Sequence, residues 1–470
     1  MAHIVLIQAP YRDLYGPIKK AAGYYFPLGL GYIAAVLRRQ GHRVGLYEPE
    51  AQKMSFQDIS RVFATERPDV IGIGSATPNF FNAIELAKSA KSVGATVVLG
   101  GIHASVMPHY IAENYSDYFD YVVVGEGEDT MLDLVAHLEN GRDPAAVPGV
   151  FLKQNNEVVS TPSRARITDL DALPFPARDL LPMELFPPNL HNSRYKKSFT
   201  ILTSRGCPYK CSFCASHNTM GSKYRYHSPE YVLEEMEYLV KQYGAQQLLI
   251  TDDTFTLNTN RLVNICEGMI RRKLNLKWFC FSQASRLNAE LLELMQRAGC
   301  YNIGFGIESA IPRIQKLIGK PVSLSHCLEL VKITEKLGIK SQAFFVFGHE
   351  ENLAEIRATI DYANHLNATL VFHNMLVPYP GTKDFERFFS DIPLEEIDWK
   401  NFVAIGEKSV LGRSRFNFEK IIYEAYREFY ARPTQLWRMA KQIKTWFELK
   451  NYFLGGMGLL SQMLVWKNQS

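Results

Sequence analysis

Three cysteines lie close together, as Cys207, Cys211 and Cys214 in the run Ser204-Arg205-Gly206-Cys207-Pro208-Tyr209-Lys210-Cys211-Ser212-Phe213-Cys214. A Cys-x3-Cys-x2-Cys loop can aim three thiolates at one metal centre, and Gly206 and Pro208 suit a sharp turn. Three thiolates leave one iron of a cubane [4Fe–4S] cluster without a protein ligand, so that iron can take a substrate or cofactor directly. A structural zinc site wants four protein ligands. Here His217 or His227 would have to stand in as the fourth. Arg205 and Lys210 would offset the charge of an iron–sulfur group. The chain's 7 cysteines are odd in number and too few for a disulfide framework. Cys266, Cys280, Cys300 and Cys327 fall in apolar periodic segments and read as buried structural thiols.

The chain around this loop reads as α/β throughout. Its first part alternates apolar strands with helices: Ile4–Gln8, Arg43–Tyr47, Val70–Gly74, Thr96–Leu99 and Tyr121–Val124 are strands, and Leu28–Arg39 heads the helical segments between them. That order predicts an open, doubly wound parallel sheet, which binds ligands outside the carboxyl ends of its strands. Between Val150 and Lys197 six prolines fall (Pro162, Pro174, Pro176, Pro182, Pro187 and Pro188) and periodicity is lost, as in a hairpin followed by a linker. A second alternation starts at Phe199. Its strands are Phe199–Thr203, Gln247–Thr251, Trp278–Ser282, Asn302–Gly306, Ser341–Phe347 and Thr369–Asn374. Six such units make a partial (β/α)6 barrel, open on one side. The expected division is 1–150, a linker at 151–197, the barrel at 198–385 and a helical region at 386–470. The tail places Trp437, Trp446 and Phe453 among Lys441, Lys444 and Lys450. It reads as docked on the barrel, with contact to a membrane surface as the alternative. The apolar stretch Tyr452–Trp466 is interrupted by Gly455, Gly456 and Gly458 and is short for a membrane span. The start MAHIVLIQAP lacks the charged and apolar regions of a signal peptide, so a cytoplasmic location is expected. Lys+Arg of 52 against Asp+Glu of 48 gives no electrostatic case for nucleic acid.

CxxxCxxC at the end of a first barrel strand, with Phe213 before the last cysteine, resembles the radical S-adenosylmethionine superfamily. The resemblance implies that S-adenosylmethionine chelates the open iron. One-electron reduction then cleaves the sulfonium to methionine and a 5′-deoxyadenosyl radical, which abstracts hydrogen. An electron donor such as flavodoxin or ferredoxin is implied as well. Carried over by position, Asp252 or Asp253 after the second strand would hold the methionine amine. Ser282 and Arg286 would reach its carboxylate, Glu308 the ribose hydroxyls, and Gly348 the methionine or adenine end. The Asp252-Asp253 form departs from the Gly-Gly-Glu of some branches.

Three Gly-rich loops follow strands of the first sheet: Gly72–Thr77, Gly100–Ser105 and Gly125–Thr130. Glycines there let backbone amides approach a ligand, and no GxGxxG follows the first strand, which disfavours a dinucleotide. Together with Pro27-Leu28-Gly29-Leu30, these loops make the domain similar to the cobalamin-binding domain of the superfamily's cobalamin-dependent branch. That similarity puts Ser75, Thr77, Asn79, Gly100, Gly101, His103, Ser105, Gly125, Glu126 and Gly127 around the corrin. The cobalt-ligating Asp-x-His-x-x-Gly motif is absent, so His103 is a loop residue near the corrin rather than a cobalt ligand. The implied activity is methylation of an unactivated carbon of an apolar or bulky, lipid-like or tetrapyrrole metabolite. Cobalamin-linked oxidative cyclisation or rearrangement is the alternative, and a cobalamin- or redox-sensing regulator the non-enzymatic one. Methylthiolation would need three more clustered cysteines, which the sequence lacks.

Overall fold

In the computed structural model of the chain, residues 1–14, 24–187, 193–403, 416–454 and 456 are described. The first sheet holds β1 (His3–Gln8), β2 (Arg43–Tyr47), β3 (Val70–Gly74), β4 (Thr96–Gly100), β5 (Tyr121–Val123), β6 (Val150–Gln154) and β7 (Glu157–Ser160). Its order is β2-β1-β3-β4-β5-β6-β7, parallel through β5 and antiparallel for the last two. β3 (VIGIG) is buried along its whole length, as a central strand covered on both faces must be. The hairpin expected after Val150 forms, and it extends this sheet instead of standing apart.

The second half opens with β8 (Ser198–Ile201), followed by the short antiparallel pair β9 (Ser204–Arg205) and β10 (Arg225–Tyr226). Then come β11 (Gln247–Ile250), β12 (Lys277–Ser282), β13 (Cys300–Glu308), β14 (Lys340–Phe347) and β15 (Leu370–Met375). The six main strands are parallel and lie in the order β15-β14-β13-β12-β11-β8, as a partial barrel requires. Their outward residues, among them Ile201, Leu248, Cys280, Ile303, Phe345 and Val371, pack with the helices into one core. Cys266, Cys280, Cys300 and Cys327 all lie in that core, as the periodicity predicted.

The inward residues behave differently. Leu249, Phe281, Phe344, Val346, Phe372 and Asn374 are only half-buried, although each is flanked along its strand by buried outward residues. They line an open chamber. Phe344 and Phe372 stack at 4.9 Å with ring planes 10° apart, and Phe281 leans on Phe344 at 5.9 Å. Gly304 makes room for this wall, because a Cβ there would meet Phe281 at 2.8 Å.

The C-terminal region docks on the barrel. Helix Phe418–Tyr430 covers the edge strand β15. The Tyr430 hydroxyl donates to the Val371 carbonyl and accepts from its amide, both at 3.0 Å, and Tyr426 does the same at His373. Two tyrosines thus satisfy backbone groups that an exposed edge would leave open. At the opposite ends of the strands from the cysteine loop, Lys340 donates to Glu448 at 2.6 Å, with Arg194 beside it at 3.3 Å. No helix among the described residues is long and apolar enough to cross a membrane.

Candidate active site

The cysteine loop leaves β9 at Gly206, whose φ of +86° only glycine adopts without strain. A Cβ there would also press on the Lys223 carbonyl at 2.4 Å. The loop is pinned at both ends: the Cys207 amide donates to the Gly221 carbonyl at 3.2 Å, and the Ser212 amide to the Ile318 carbonyl at 3.0 Å. Burial raises all three thiol pKa values, Cys211 to about 11; Cys207 and Cys214 raise Cys211 further, and Cys207 raises Cys214. They therefore share one electrostatic environment. Lys320 opposes the rise at each of them. Burial works against the lysine's own charge, yet Glu308 and the thiols together raise its pKa.

This donor set fits an iron–sulfur cubane. Three thiols share a loop, and the other four cysteines are locked behind the sheet. Among the described residues no three Cys, His, Asp or Glu side chains gather around a single ion. His227 is instead stacked at 4.0 Å on Tyr231 and paired with Asp171 at 3.3 Å.

The residues expected around S-adenosylmethionine all sit at the carboxyl ends of the barrel strands, with distinct roles. Asp252 is buried and fully engaged: it accepts from the Thr203 amide and hydroxyl, both at 2.6 Å, and from Ser204 at 2.5 Å. It ties the end of β11 to the start of the cysteine loop. Asp253 is exposed, takes a hydrogen bond from Ser216, and acts electrostatically on Cys207 and Cys214. Of the two aspartates, it is the one free to meet an amine. Ser282 is buried and hydrogen-bonded to Thr256 at 2.6 Å. Arg286 is exposed and donates to the Tyr209 hydroxyl, in the cysteine loop, at 3.0 Å. A bulge between Gly306 and Glu308 ends β13 and leaves Glu308 at φ +65°, with Lys320 at 2.5 Å. Gly348 has φ +114° and donates its amide to Glu351 at 3.1 Å. Phe213 packs on the buried ring of His349 at 5.6 Å.

The Gly-rich loops of the first sheet lie beside this loop, since the helix Ile102–Val106 touches the helix Ser216–Thr219 just past Cys214. Gly100 opens onto free space, and Ile102 stands 48 % exposed next to it. The Ser105 hydroxyl accepts from the Gly125 amide at 3.0 Å and joins two of the loops. Gly101, at φ +99°, passes so close to Ser75 that a Cβ would meet its carbonyl at 2.4 Å. The open Gly100 and an exposed aliphatic side chain suit a flat ring laid over the strand ends. Beneath them Ser75, Thr77, Asn79 and His103 are buried. Asn79 is fully bonded, to the Ala9 carbonyl, the Ala76 amide and Ser75. His103 accepts or donates to Thr77 at 3.3 Å, packs between Phe80 and Trp399, and keeps its Nε2 without a hydrogen-bond partner. Its enclosure agrees with a residue below the ring rather than one bound to cobalt. These residues fit cobalamin.

Glu126 has a different employment from the one its loop suggested. Its carboxylate receives Arg205 at 2.9 Å, Arg225 at 2.9 Å and the Ile167 amide at 3.1 Å, while Arg205 also reaches Glu128 at 2.7 Å. All four charged side chains are nearly inaccessible. Arg205 lies two residues before Cys207, so it faces these carboxylates and clamps the two loops together.

Residues 16–135 match the B12 binding domain family and residues 201–363 the radical SAM superfamily. The chain is 34% identical over 420 residues to an uncharacterised methyltransferase of Pyrococcus horikoshii, covering 87% of this chain and 89% of the relative. It belongs to the cobalamin-dependent radical S-adenosylmethionine enzymes. A second relative of this enzyme, 26% identical over 462 residues, is the anaerobic magnesium-protoporphyrin IX monomethyl ester cyclase of Rubrivivax gelatinosus, with 93% and 82% of the two chains covered. The fold is shared with the radical S-adenosylmethionine methyltransferase TsrM of Kitasatospora setae, solved with cobalamin and a [4Fe–4S] cluster bound. That likeness has a TM-score of 0.71 at 20% identity, over 93% of this chain and 90% of that one. Membership of the B12-binding and radical SAM families gives this enzyme its cofactors, a [4Fe–4S] cluster, S-adenosylmethionine and cobalamin, and the sensor reading falls away.

Sequence reading missed three parts of the site. Lys320 follows Glu308 by twelve residues and carries no local motif. The Arg205–Glu126–Glu128–Arg225 cluster is assembled from residues far apart in the chain. The phenylalanine chamber did leave a signal: Phe281, Phe344 and Phe372 occupy the inward phase of strands whose outward phase is equally apolar.

Proposed function

We propose that this enzyme transfers a methyl group to an unactivated carbon of a bulky, apolar small molecule. The observation that carries the proposal is the setting of the three-thiol loop: glycine-rich strand ends lie on one side, and the barrel whose strand ends carry the loop has half-buried phenylalanines on its inner face. When bound, the three cofactors supply reductive cleavage of a sulfonium, hydrogen abstraction and a transferable methyl group. Cys207, Cys211 and Cys214 would hold three irons. Asp253 offers the methionine amine an anionic partner, and Glu308 would meet the ribose once Lys320 shares its charge. The stacked faces of Phe344 and Phe372 orient an apolar substrate and keep water from the reacting carbon. In this reading residues 1–150 carry cobalamin and 198–385 the cluster, and an external protein donor delivers the electron. Arg205, Glu126 and Glu128 keep the two units in register.

The Pyrococcus relative's name supports methyl transfer. The Rubrivivax relative supports a second reading, oxidative cyclisation of a tetrapyrrole-like ring. The products separate the two. Anaerobic incubation with S-adenosylmethionine, a reductant and apolar candidate substrates should yield 5′-deoxyadenosine together with S-adenosylhomocysteine, and a product heavier by one CH₂. Product formation with 5′-deoxyadenosine alone would replace methylation by cyclisation.

A further inference from the structure

The helix at 446–454 is amphipathic in the wrong sense for a helix that only packs on its own protein. Trp446, Leu449, Lys450 and Phe453 recur at i, i+3, i+4 and i+7 and form one stripe. That stripe faces out: Trp446 is 79 % exposed, Phe453 67 % and Leu449 43 %. The opposite side carries Glu448 and Asn451, and both are buried. Glu448 takes Lys340 and Arg194, and Asn451 donates to the Ser193 carbonyl at 3.4 Å. The polar side thus anchors the helix to the barrel and fixes which side is left over.

The preceding helix, Pro433–Gln442, extends the exposed area with Trp437 at 62 % and Leu436 at 55 %. Lys441 lies over the Trp437 ring at 3.6 Å, and Lys444 and Lys450 are exposed nearby. The acidic residue of this segment, Glu448, is consumed inside the protein. The exposed side chains of these two helices are therefore mostly apolar and cationic, two tryptophans among them.

We propose that this face docks on an anionic lipid surface. Indole rings favour the headgroup level of a bilayer, aliphatic and Phe side chains enter the acyl boundary, and lysines meet anionic headgroups. The charge pattern selects this occupant over a second copy of the chain, whose identical face would set lysines against lysines. The surface lies at the end of the barrel opposite the cysteine loop, so docking leaves the reaction site open. The proposal does not depend on the reaction assigned above.

Flotation of the full-length holoprotein with vesicles tests it. Vesicles of phosphatidylcholine with about one-third phosphatidylglycerol should carry the protein up, and pure phosphatidylcholine much less. Raising the salt concentration should weaken binding. The W437A/W446A/F453A variant should bind at least about tenfold more weakly, with cobalamin and iron content unchanged. A K441E/K444E/K450E variant should lose the preference for anionic vesicles. Absence of wild-type flotation would overturn the proposal, as would flotation undiminished in the first variant. So would a wild-type dimer in sedimentation analysis that the triple alanine variant dissolves, since the face would then belong to a second copy.

Discussion

At the residue scale the unusual groups are histidines without charge. Burial lowers the pKa of His103 to about 3 and of His373 to about 3; for His227 burial and neighbouring Arg205 lower it to about 4. In the unfolded chain each titrates near about 6.5. Below that pH the unfolded chain binds protons that the folded chain refuses, so stability falls as pH drops from about 6.5 toward about 4. Each histidine contributes a slope of about 1.4 kcal/mol per pH unit in that window. His103→Gln should remove one proton's share of the slope in urea unfolding followed from pH 6.5 to 5. An unchanged slope would mean that His103 takes up its proton in the folded protein as readily as in the unfolded chain. The reading of the cysteines rested on residue type and spacing, both visible in the sequence. Which aspartate is free was not visible, because Asp252 and Asp253 differ only in which neighbours fold back onto them. Thr203 and Ser204 claim Asp252 across 49 and 48 residues of sequence.

At the scale of elements, hydrophobic period and turn residues located nearly every strand and helix of both sheets. Leu28–Arg39, Arg43–Tyr47 and Val70–Gly74 have the same ends in the sequence reading and in the structure. Where the reading blurred, geometry explains it. Between β4 and β5 the chain forms two helices, Ile102–Val106 and Pro108–Asn114, broken at Met107 just before a proline that cannot continue the first. What periodicity cannot supply is pairing between elements, and the loop–loop clamp is the main case. Arg205 stands between two buried carboxylates, and removing it would leave Glu128 uncompensated and Glu126 with Arg225 alone. Arg205→Met should therefore lower the unfolding free energy by about 3 kcal/mol, read by denaturant melting. Glu128→Gln in the same chain should recover part of that loss. A loss below about 1 kcal/mol would place the clamp among weak surface pairs.

At the scale of the whole molecule, two sheets meet at their carboxyl ends, where each presents its loops. One brings the open Gly100 and the other three thiols, with Asp253 and Arg286 around them. The helical tail closes the far end and covers the edge of β15. The order of the two sheets along the chain was legible, because each announces itself by alternation. The chamber's apolar lining was half legible, since an inward and an outward phenylalanine look alike until the helices choose a side.

The central claim is that Cys207, Cys211 and Cys214 hold a four-iron cluster with one iron left for S-adenosylmethionine. Mössbauer spectroscopy of the chain reconstituted with ⁵⁷Fe without oxygen tests it directly. The account predicts about four irons per chain, one of which changes its signal when S-adenosylmethionine is added, and none bound in the triple alanine variant. A lone zinc held by four protein donors, or iron retained in full by the triple variant, would contradict it.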